Sequence, residues 1–356
     1  GTIETAVAAI RKGAYDFIEK PFKSDKLLVT VERALETSRL RRENAELRAK
    51  SEVHSELIGE SQPAIALRQT IERVAPTNSR VLIAGAPGSG KELIARMIHG
   101  HSLRNAGPFV PVSAAMMDPD RVELELFGSE TDGSVERVGL LEQAHAGTLF
   151  LDEVADMPLA TQGKLLRMLV EQRFRRIGGS SDVEVNVRVL SSTARDLRGR
   201  IAQGRFREDL YHRLAVVPLE APSLAERRDD IPLLVEHFIE RLTAISGLPR
   251  RRIGDDAMAA LQAHDWPGNV RQLRNNVERL LILAAGDPDQ PVTLDSLPSE
   301  VAGRGGADAG GFDAERMIAL PLRDAREKFE REYLKAQITR FGGNISRTAS
   351  FIGMER

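Results

Sequence analysis

The sequence predicts an α/β fold in which a parallel sheet is flanked by helices and followed by a smaller helical unit. Between residues 52 and 220, short apolar runs alternate with helical patterns, which is typical of a parallel sheet built from strand–helix units. A glycine-rich loop at 85–92 joins one of these runs to a helix. From residue 223 to 285 the apolar spacing is helical throughout, which predicts a separate, all-helical subdomain.

Length and composition exclude several classes of protein. The 356 residues are enough for two or three domains, and the formal net charge of -2 excludes a globally basic nucleic-acid binder, though not a local basic element. Without cysteine, the chain has neither a disulfide framework nor a Cys-based metal site. No apolar run approaches the roughly 18 residues of a membrane span, and no signal peptide is visible. Because the first residue is Gly1, we expect a fragment of a cytoplasmic protein.

The N-terminal residues contain less than a domain. A helical pattern from Thr2 to Lys12 and a strand-like run at 15–18 have no sheet to join. A long charged helix is predicted from Ser24, which can cap it, to about Lys50. Its two short apolar stripes are consistent with a dimerising signalling helix and also with a solvated linker helix, so both interpretations stay open.

The predicted sheet has four strands, and helices are predicted between them. The strands are residues 81–84, 109–113, 148–151 and 187–192, and the clearest helices are 92–99 and 158–171. Beyond the helical subdomain, residues 286–312 are rich in Gly, Asp, Pro and Ala, which predicts a linker. Helical periodicity then returns at 321–341 and 345–352.

The glycine-rich loop matches the phosphate-loop pattern, in which a glycine at each end of a four-residue span precedes a lysine. Its residues are Gly85, Ala86, Pro87, Gly88, Ser89, Gly90, Lys91 and Glu92. Glycines let backbone N–H groups close around a polyphosphate, the helix N-terminus adds its dipole, and Lys91 would reach the β- and γ-phosphates. An ordinary strand-to-helix turn is the alternative, but the flanking strand and helix favour nucleotide binding. Glu92 stands where the general pattern has a Ser or Thr that ligates magnesium.

Two adjacent carboxylates, Asp152 and Glu153, end the apolar run at 147–151. Neighbouring side chains of a strand point to opposite faces, so the two groups can have different functions. Asp152 can hold Mg²⁺, and Glu153 can polarise the water that attacks a γ-phosphate. An acidic pair at a strand end is usually a solvated turn, but its position downstream of a phosphate loop favours the catalytic interpretation.

Two further segments contribute arginines. Residues 204–214 contain Arg207 and Arg213. A neighbouring subunit can supply such residues as arginine fingers, which neutralise transition-state charge. The alternative is a surface helix with ion pairs such as Arg207 with Asp209. Arg271 begins a helix of the second subdomain, where a surface arginine is again the alternative. The combination with a phosphate loop and an acidic pair favours the functional interpretation of all three.

These motifs resemble the AAA+ central domain of the NtrC-type bacterial enhancer-binding response regulators. The matching stretches are LIGES at 57–61, GAPGSGKE at 85–92, ELELFGSE at 123–130, GTLFLDEV at 147–154, RFRRIGG at 173–179, GRFREDLYHRL at 204–214 and WPGNVRQL at 266–273. In this family a glutamate follows the lysine of the phosphate loop, which accounts for Glu92.

The resemblance implies roles for individual residues. Glu153, Arg207 and Arg213 would be catalytic, with the two arginines acting across a subunit boundary, and Asp152 would hold Mg²⁺. Besides the phosphate loop, the residues implied in binding ATP or ADP are Ile58 and Gly59 at the adenine and Arg271 as the sensor II arginine. Such domains form rings, typically hexamers, with each nucleotide at a head-to-tail interface. We therefore expect a homo-oligomer, as a dimer or a ring.

Both ends of the chain extend the resemblance. GAYDFIEKPF at 13–22 resembles the last strand of a receiver domain, whose phosphoacceptor would lie upstream, and this implies a sensor histidine kinase as partner. Residues 322–352 resemble the start of a Fis-type helix-turn-helix, which implies DNA and RNA polymerase as partners of the complete protein. The sequence stops at 354–356, where the recognition helix should begin, so we expect weak DNA binding by this stretch itself.

The domain organisation implied by the resemblance has six segments. They are the C-terminal part of a receiver domain at 1–37, a linker helix at 38–56, an AAA+ α/β subdomain at 57–222, a helical lid at 223–286, a flexible linker at 287–312 and a truncated helix-turn-helix domain at 313–356.

Three departures from the family separate this sequence from a typical activator. The GAFTGA loop that contacts sigma-54 should follow residue 128, but the shorter segment 129–136, without its Phe and Thr, stands there. Ala194 replaces the sensor I asparagine and cannot hydrogen-bond through its side chain. Ser113 replaces the asparagine that restrains the catalytic glutamate. This combination resembles the NtrX branch of the family.

Three hypotheses about function follow. The first is a transcription regulator of a two-component phosphorelay that binds ATP, hydrolyses it slowly and does not remodel sigma-54. The others are an ATP-hydrolysing activator or remodeller, and an ATP-sensing oligomerisation module with vestigial turnover. Specific binding of the complete protein to one operator would separate the first from a remodeller without promoter function.

Overall fold

The computed structural model describes residues 56–114, 119–247, 250–283 and 291–302, together with 27–36 and scattered positions near both ends. It divides the chain into two units, Gly1–Glu56 and Leu57–Arg356. In the first unit the described residues 27–36 are helical, in agreement with the predicted charged helix. The expected strand at 15–18 and the C-terminal helix-turn-helix lie mostly outside the described residues.

A five-stranded parallel sheet is the centre of the second unit. The strands of this unit are β1 (Val81–Ala84), β2 (Phe109–Ser113), β3 (Ser129–Thr131), β4 (Ser134–Arg137), β5 (Thr148–Asp152), β6 (Arg173–Arg175), β7 (Asp182–Glu184), β8 (Arg188–Thr193) and β9 (Val217–Glu220). The sheet has the order β2-β5-β8-β1-β9, and the remaining four strands pair as the antiparallel hairpins β3–β4 and β6–β7. The predicted α/β fold with a parallel sheet is confirmed.

The four predicted strands are β1, β2, β5 and β8, and their ends agree with the sequence expectation to within one residue. The fifth strand, β9, was not predicted. It lies at the edge of the sheet, only Leu219 in it is buried, and it contains Pro218, which an edge strand tolerates because one side of its backbone needs no partner. Because β9 has one buried residue and a proline, it lacks the continuous apolar run that marks a buried parallel strand in a sequence.

Seven helices pack around this sheet. They are α1 (Gln62–Val74), α2 (Lys91–Gly100), α3 (Pro119–Phe127), α4 (Leu140–Gln143), α5 (Leu159–Glu171), α6 (Leu197–Ala202) and α7 (Glu208–Leu214). Alternate residues of the central strands enter separate apolar clusters, as the period of two in a strand requires. In β5, Leu149 and Leu151 pack with Leu165 of α5, whereas Phe150 packs with Ile94 of α2. The sheet is therefore covered on both faces.

A helical lid follows the sheet, as the sequence predicts for 223–285. A 3₁₀ segment, Leu224–Asp230, leads into α8 (Ile231–Ser246), α9 (Asp255–Ala263) and α10 (Asn269–Leu283). The lid has its own apolar core around Trp266, which is fully buried and donates a hydrogen bond from Nε1 to the carbonyl oxygen of Leu261 at 2.7 Å. In the described part of the chain no helix is long and apolar enough to cross a membrane.

The structure differs from the sequence expectation at residues 291–302, where a linker is predicted. Val292, Leu297 and Val301 are buried in the lid core, and Val292 forms an isolated parallel bridge with Ile253. Glycine, aspartate, proline and alanine dominate the composition of the whole predicted linker, 286–312, but the few apolar side chains of 291–302 reach the core. Composition averaged over a long window therefore concealed a packed segment.

We predict that Leu297→Ala destabilises the lid, because Leu297 is only 6% exposed. Removing a buried leucine side chain typically costs about 2–5 kcal/mol of the free energy of unfolding. Leu283→Ala is the matched control, since Leu283 is 65% exposed and a surface change of this kind stays within about 0.5 kcal/mol. Urea unfolding followed by the fluorescence of Trp266, the one tryptophan of the chain, reports on the lid itself. Equal midpoints for the two variants would show that 291–302 does not pack there.

Candidate nucleotide-binding site

The phosphate loop lies between the end of β1 and the start of α2. Gly90, with φ +102°, precedes the first residue of α2, so the chain enters the helix through a conformation that favours glycine. Gly88, with φ +75°, is packed against the lid, and a Cβ on it would lie 2.2 Å from the carbonyl oxygen of Gly268. The first N–H groups of a helix have no partner within the helix, and this is where anions bind.

Lys91 is the charged centre of the site. Its side chain is 6% exposed, and its ammonium nitrogen donates hydrogen bonds to the carbonyl oxygens of Gly85, at 2.9 Å, and Ala86, at 3.4 Å. The same nitrogen lies 3.0 Å from Oε1 of Glu153. A buried charge is tolerated when it is both paired and hydrogen-bonded, and Lys91 meets both conditions. The structure thus brings the loop, its lysine and one carboxylate of the acidic pair together.

The acidic pair lies at the carboxyl end of β5. Glu153, with φ +54°, turns away from the strand, and its Oε2 accepts a hydrogen bond from the N–H of Ala194 at 2.8 Å. The hydroxyl of Ser192 accepts from the N–H of Glu153 at 3.1 Å and donates to the carboxylate of Asp152. The two carboxylates therefore have different partners. Because β5, β8 and β1 are adjacent and parallel, the carboxyl ends of these three strands lie at the same edge of the sheet.

The segment expected at the adenine lies between α1 and the lid. Ile58 packs against the apolar core of the lid. The N–H groups of the residues at 60 and 61 donate to Oδ1 of Asp230, both at 2.8 Å. Gly59 has φ +141°, and a Cβ on it would clash with the Asp230 carboxylate. Sequence reasoning missed Asp230, since it belongs to none of the quoted motifs and meets this segment only in the folded chain.

Besides Gly268, three lid residues lie against the phosphate loop. The buried Arg227 donates a hydrogen bond from Nη2 to the carbonyl oxygen of Ser89 at 3.3 Å. Burial lowers the pKa of Arg227, while the charge of Asp230 opposes the shift. The amide nitrogen of Asn269 donates to the carbonyl oxygen of Pro87 at 3.0 Å. Arg271 follows two residues later, and its Cβ is 3.1 Å from the position that a Cβ on Gly88 would take.

Comparisons with known proteins agree with this architecture. The family model described as "Sigma-54 interaction domain" matches residues 57–220, "AAA+ ATPase lid domain" matches 225–310, and "Bacterial regulatory protein, Fis family" matches 325–356. The nitrogen assimilation regulatory protein NtrX of Azorhizobium caulinodans is 62% identical over 357 residues, which cover 100% of this chain and 78% of the relative. A putative NtrX-like response regulator of Rickettsia felis is 44% identical and is covered to 76%, again over 100% of this chain.

Solved structures of NtrX from Brucella abortus are also similar. Its complexes with ADP and with ATP are 60% identical to this chain and superimpose with TM-scores of 0.80 and 0.81, and each match covers 100% of this chain and 78% of that one. The chain belongs to the NtrX branch of the NtrC-type AAA+ response regulators. The three family models identify in this chain a sigma-54 interaction domain, an AAA+ lid and a Fis-type segment.

In this NtrX-type chain the expected arginine fingers lie on the surface. Arg207 precedes α7, where it pairs with Asp209 at 2.7 Å, and this hydrogen-bonded pair raises the pKa of Arg207. Arg213 is exposed in the last turn of α7. Among the described residues, neither arginine pairs with the phosphate loop or with the acidic pair. The surface ion pair that was the alternative interpretation is thus present, and the role across a subunit boundary stays a prediction.

Ala194, Ser113 and Glu92, which depart from the family pattern or from the general phosphate-loop pattern, have defined neighbours. Ala194 donates its backbone N–H to Oε2 of Glu153 at 2.8 Å. Ser113 ends β2 and lies opposite Asp152 in the strand register. Glu92, one residue after the phosphate-loop lysine, accepts two hydrogen bonds from Arg96 at 3.0 and 2.7 Å on the exposed surface of α2. In the structure the carboxylate of Glu92 therefore interacts with its own helix.

The segment 129–136, which replaces the GAFTGA loop, forms the hairpin β3–β4, a feature that the sequence did not predict. Both residues of its turn, Asp132 and Gly133, have positive φ, as tight hairpins require. The carboxylate of Glu130 is buried and lies 3.1 Å from Arg176, which also pairs with Glu142 at 2.6 Å. The charge of Glu130 is therefore neutralised inside the protein.

Proposed function

We propose that this chain is the nucleotide-binding part of a phosphorelay regulator that holds ATP or ADP at 85–92, hydrolyses ATP slowly and does not remodel sigma-54. The observation that carries the nucleotide site is the buried ammonium of Lys91, which is directed at two carbonyl oxygens of the glycine-rich loop and at the acidic pair. The NtrX of Brucella abortus, which was solved in complex with ADP and with ATP, supports the choice of nucleotide.

The residues present fit a nucleotide. In the described part of the chain, the hydroxyl of Ser89 in the phosphate loop is buried and has no hydrogen-bond partner, as a donor reserved for a ligand would be. The loop N–H groups, Lys91 and Arg271 would hold the phosphates, and the backbone at Ile58 and Gly59 would line the base. These residues supply cationic groups and N–H donors, which is what a polyphosphate requires.

A magnesium ion would depend on few protein ligands. No group of three or more His, Asp or Glu side chains in the described residues is arranged to hold a metal. Mg²⁺ bound with a nucleotide typically uses one or two carboxylates together with phosphate oxygens, so Asp152 is sufficient. The ion would neutralise charge on the phosphates.

We predict that Lys91→Ala abolishes binding of ADP, because it removes the charge that faces the β-phosphate. Isothermal titration of ADP against the variant measures this directly. Lys164→Ala is the matched control: Lys164 is an exposed lysine of α5 that pairs with Glu123, and its loss should leave the affinity unchanged. Unchanged affinity in Lys91→Ala would mean that the site is assigned wrongly.

Slow hydrolysis is inferred from the surroundings of Glu153. One oxygen of its carboxylate pairs with Lys91, and the other accepts the N–H of Ala194, a hydrogen bond that we expect to persist when Lys91 turns to a phosphate. A general base must be within reach of the water that it activates. The side chain of Ala194 offers no hydrogen bond to orient that water or a phosphate. Positioning of the water then depends on Glu153 and on arginines supplied by a neighbouring copy.

We predict that the arginines act across a subunit boundary. Subunits with Arg207→Ala and subunits with Glu153→Gln should each be inactive alone, and mixing them should restore part of the ATP turnover, because a mixed interface combines an intact glutamate with an intact finger. Such fingers contribute on the order of 10³-fold or more. Arg205→Ala, in an exposed residue of the same stretch, is the control and should retain turnover. Brisk turnover by a strictly monomeric sample would contradict this account.

The absence of sigma-54 remodelling is inferred from the hairpin β3–β4. Asp132 in its tight turn is exposed to the solvent, and the Phe–Thr pair of the family's loop is not in this segment, whose Thr131 has no Phe before it. Its base is fixed by the buried pair of Glu130 with Arg176 and by the N–H of Glu130, which donates to Ile177 at 2.9 Å. A short, charged and anchored hairpin is a poor substitute for an apolar contact loop, since burying an unpaired charge is unfavourable.

We predict that the complete protein does not open a sigma-54 promoter with ATP. A reconstituted open-complex assay measures this, with an NtrC-type activator that carries the GAFTGA loop as the positive control. ATP-dependent opening by this protein, with its own segment 129–136 intact, would contradict the proposal and favour the alternative of a sigma-54-dependent activator.

The remaining partners are proposed from the domain order. A sensor histidine kinase would act on the receiver domain, the helix-turn-helix would bind DNA, and regulation would act through RNA polymerase, with a dimer or ring as the assembly. The match of 325–356 to the Fis family favours this regulator over a remodelling ATPase without promoter function. The domain limits 1–37, 38–56, 57–222 and 223–286 belong to the same proposal.

A further inference from the structure

The lid is connected to the phosphate loop through one buried amide. Asn269, the first residue of α10, is 3% exposed. Its Nδ2 donates to the carbonyl oxygen of Pro87 in the loop at 3.0 Å, and its Oδ1 accepts from the N–H of Leu224, where the lid begins, at 2.7 Å. The side chain therefore connects the start of α10 both to Pro87 in the phosphate loop and to Leu224 at the beginning of the lid.

The backbone around Asn269 is shaped for this contact. Its φ is +52°, in the left-handed region, which asparagine enters more readily than most other residues. Trp266, three residues earlier, also has a positive φ of +50°. The turn between them brings Gly268 so close to Gly88 that only a glycine fits in the loop. Conformational strain of this kind persists where the surrounding contacts require it.

We propose that Asn269 is a positioning residue for nucleotide binding, which couples the conformation of the phosphate loop to the placement of Arg271. Arg271 is two residues further along the same helix turn, and its Cβ faces Gly88. A bond from Asn269 to Pro87 fixes the start of α10 relative to the loop, and thereby fixes the point from which Arg271 extends. This inference rests on the proposed nucleotide site.

Only an amide satisfies both partners. A carbonyl oxygen needs a donor and a backbone N–H needs an acceptor, and the asparagine side chain provides one of each. Aspartate would keep the acceptor for Leu224 and lose the donor to Pro87. Glycine would keep the positive φ and lose both hydrogen bonds without changing the charge near the phosphates.

The test is a double-mutant cycle on ADP affinity, with the variants Asn269→Gly, Arg271→Ala and the two combined. Asn269→Gly is expected to raise the Kd about tenfold, the size of effect that follows from losing a buried hydrogen bond. In the Arg271→Ala background the same change should raise the Kd less than about threefold, because Asn269 acts through Arg271. If the increase in Kd of the double variant equals the product of the two single increases, Asn269 and Arg271 contribute independently to ADP binding, and the proposal is overturned.

A matched control lies on the same helix. Asn276 donates from Nδ2 to the carbonyl oxygen of Gln272, a bond within α10 that does not reach the loop. Asn276→Ala should leave the Kd for ADP unchanged, and a loss equal to that of Asn269→Gly would overturn the proposal. If Lys91→Ala removes binding while Asn269→Gly binds ADP normally, the nucleotide site stands and this inference fails.

A second variant keeps the proposal testable if Asn269→Gly does not fold. Asn269→Asp retains the bond to Leu224, and hydrogen exchange of residues 269–283 is measured with and without saturating ADP. In the native protein ADP should slow this exchange, and in Asn269→Asp the difference should be lost, because α10 no longer follows the loop. ADP-dependent protection of α10 in the variant equal to that of the native protein would overturn the proposal.

Discussion

The ion pair between Lys91 and Glu153 is the interaction on which the candidate site depends. It is possible only because β1 and β5 lie on either side of β8 in a parallel sheet, so that a loop after one strand and a carboxylate after the other reach the same edge. The hydroxyl of Ser192 and the N–H of Ala194, both from the end of β8, then fix the orientation of the acidic pair. Chain topology thus determines the electrostatics of the site.

The lid completes this arrangement from the other side of the phosphate loop. Arg227 and Asn269 bind carbonyl oxygens of the loop, and Gly268 packs directly on it. These contacts occupy the carbonyl groups of Ser89 and Pro87, while the N–H groups of Gly85 and Ser89 donate to the backbone at Thr193 and Ala86. The lid has its own apolar core around Trp266, so its folding does not depend on the hydrogen bonds of Arg227 and Asn269 to the loop. These hydrogen bonds can therefore change with the conformation of the loop. This division of roles makes coupling between nucleotide and lid physically reasonable.

The hairpin β3–β4 stands where the resemblance places the longer GAFTGA loop. Its buried Glu130 and Arg176 form a pair that is also in contact with Glu142, so the shortened segment is satisfied within the domain. Removal of one partner from such a network would leave an uncompensated buried charge. The short hairpin is therefore fixed by contacts with the rest of its domain.

Much of the fold could be predicted from the sequence because the central strands are continuous apolar runs beside a recognisable loop. Lys91, Asp152 and Glu153 were predicted for the same reason, since local patterns mark strand ends. The edge strand β9 was not predicted because its one buried side chain stands beside a proline and a charge. The packing of 291–302 was not predicted because the glycines and aspartates of the longer window 286–312 outnumber its apolar side chains. Asp230 and Asn269 escaped because their partners are 170 and 182 residues away along the chain.

The central claim is that the ion pair of Lys91 with Glu153 lies where the phosphates of a nucleotide bind. A crystal structure of this chain with ADP and Mg²⁺ tests it most directly. The account predicts that the ammonium nitrogen of Lys91 leaves Glu153 and binds the β-phosphate, while Glu153 keeps its hydrogen bond from Ala194 and Asp152 faces the metal. A nucleotide bound elsewhere, or a Lys91 still paired with Glu153 beside a bound nucleotide, would contradict it.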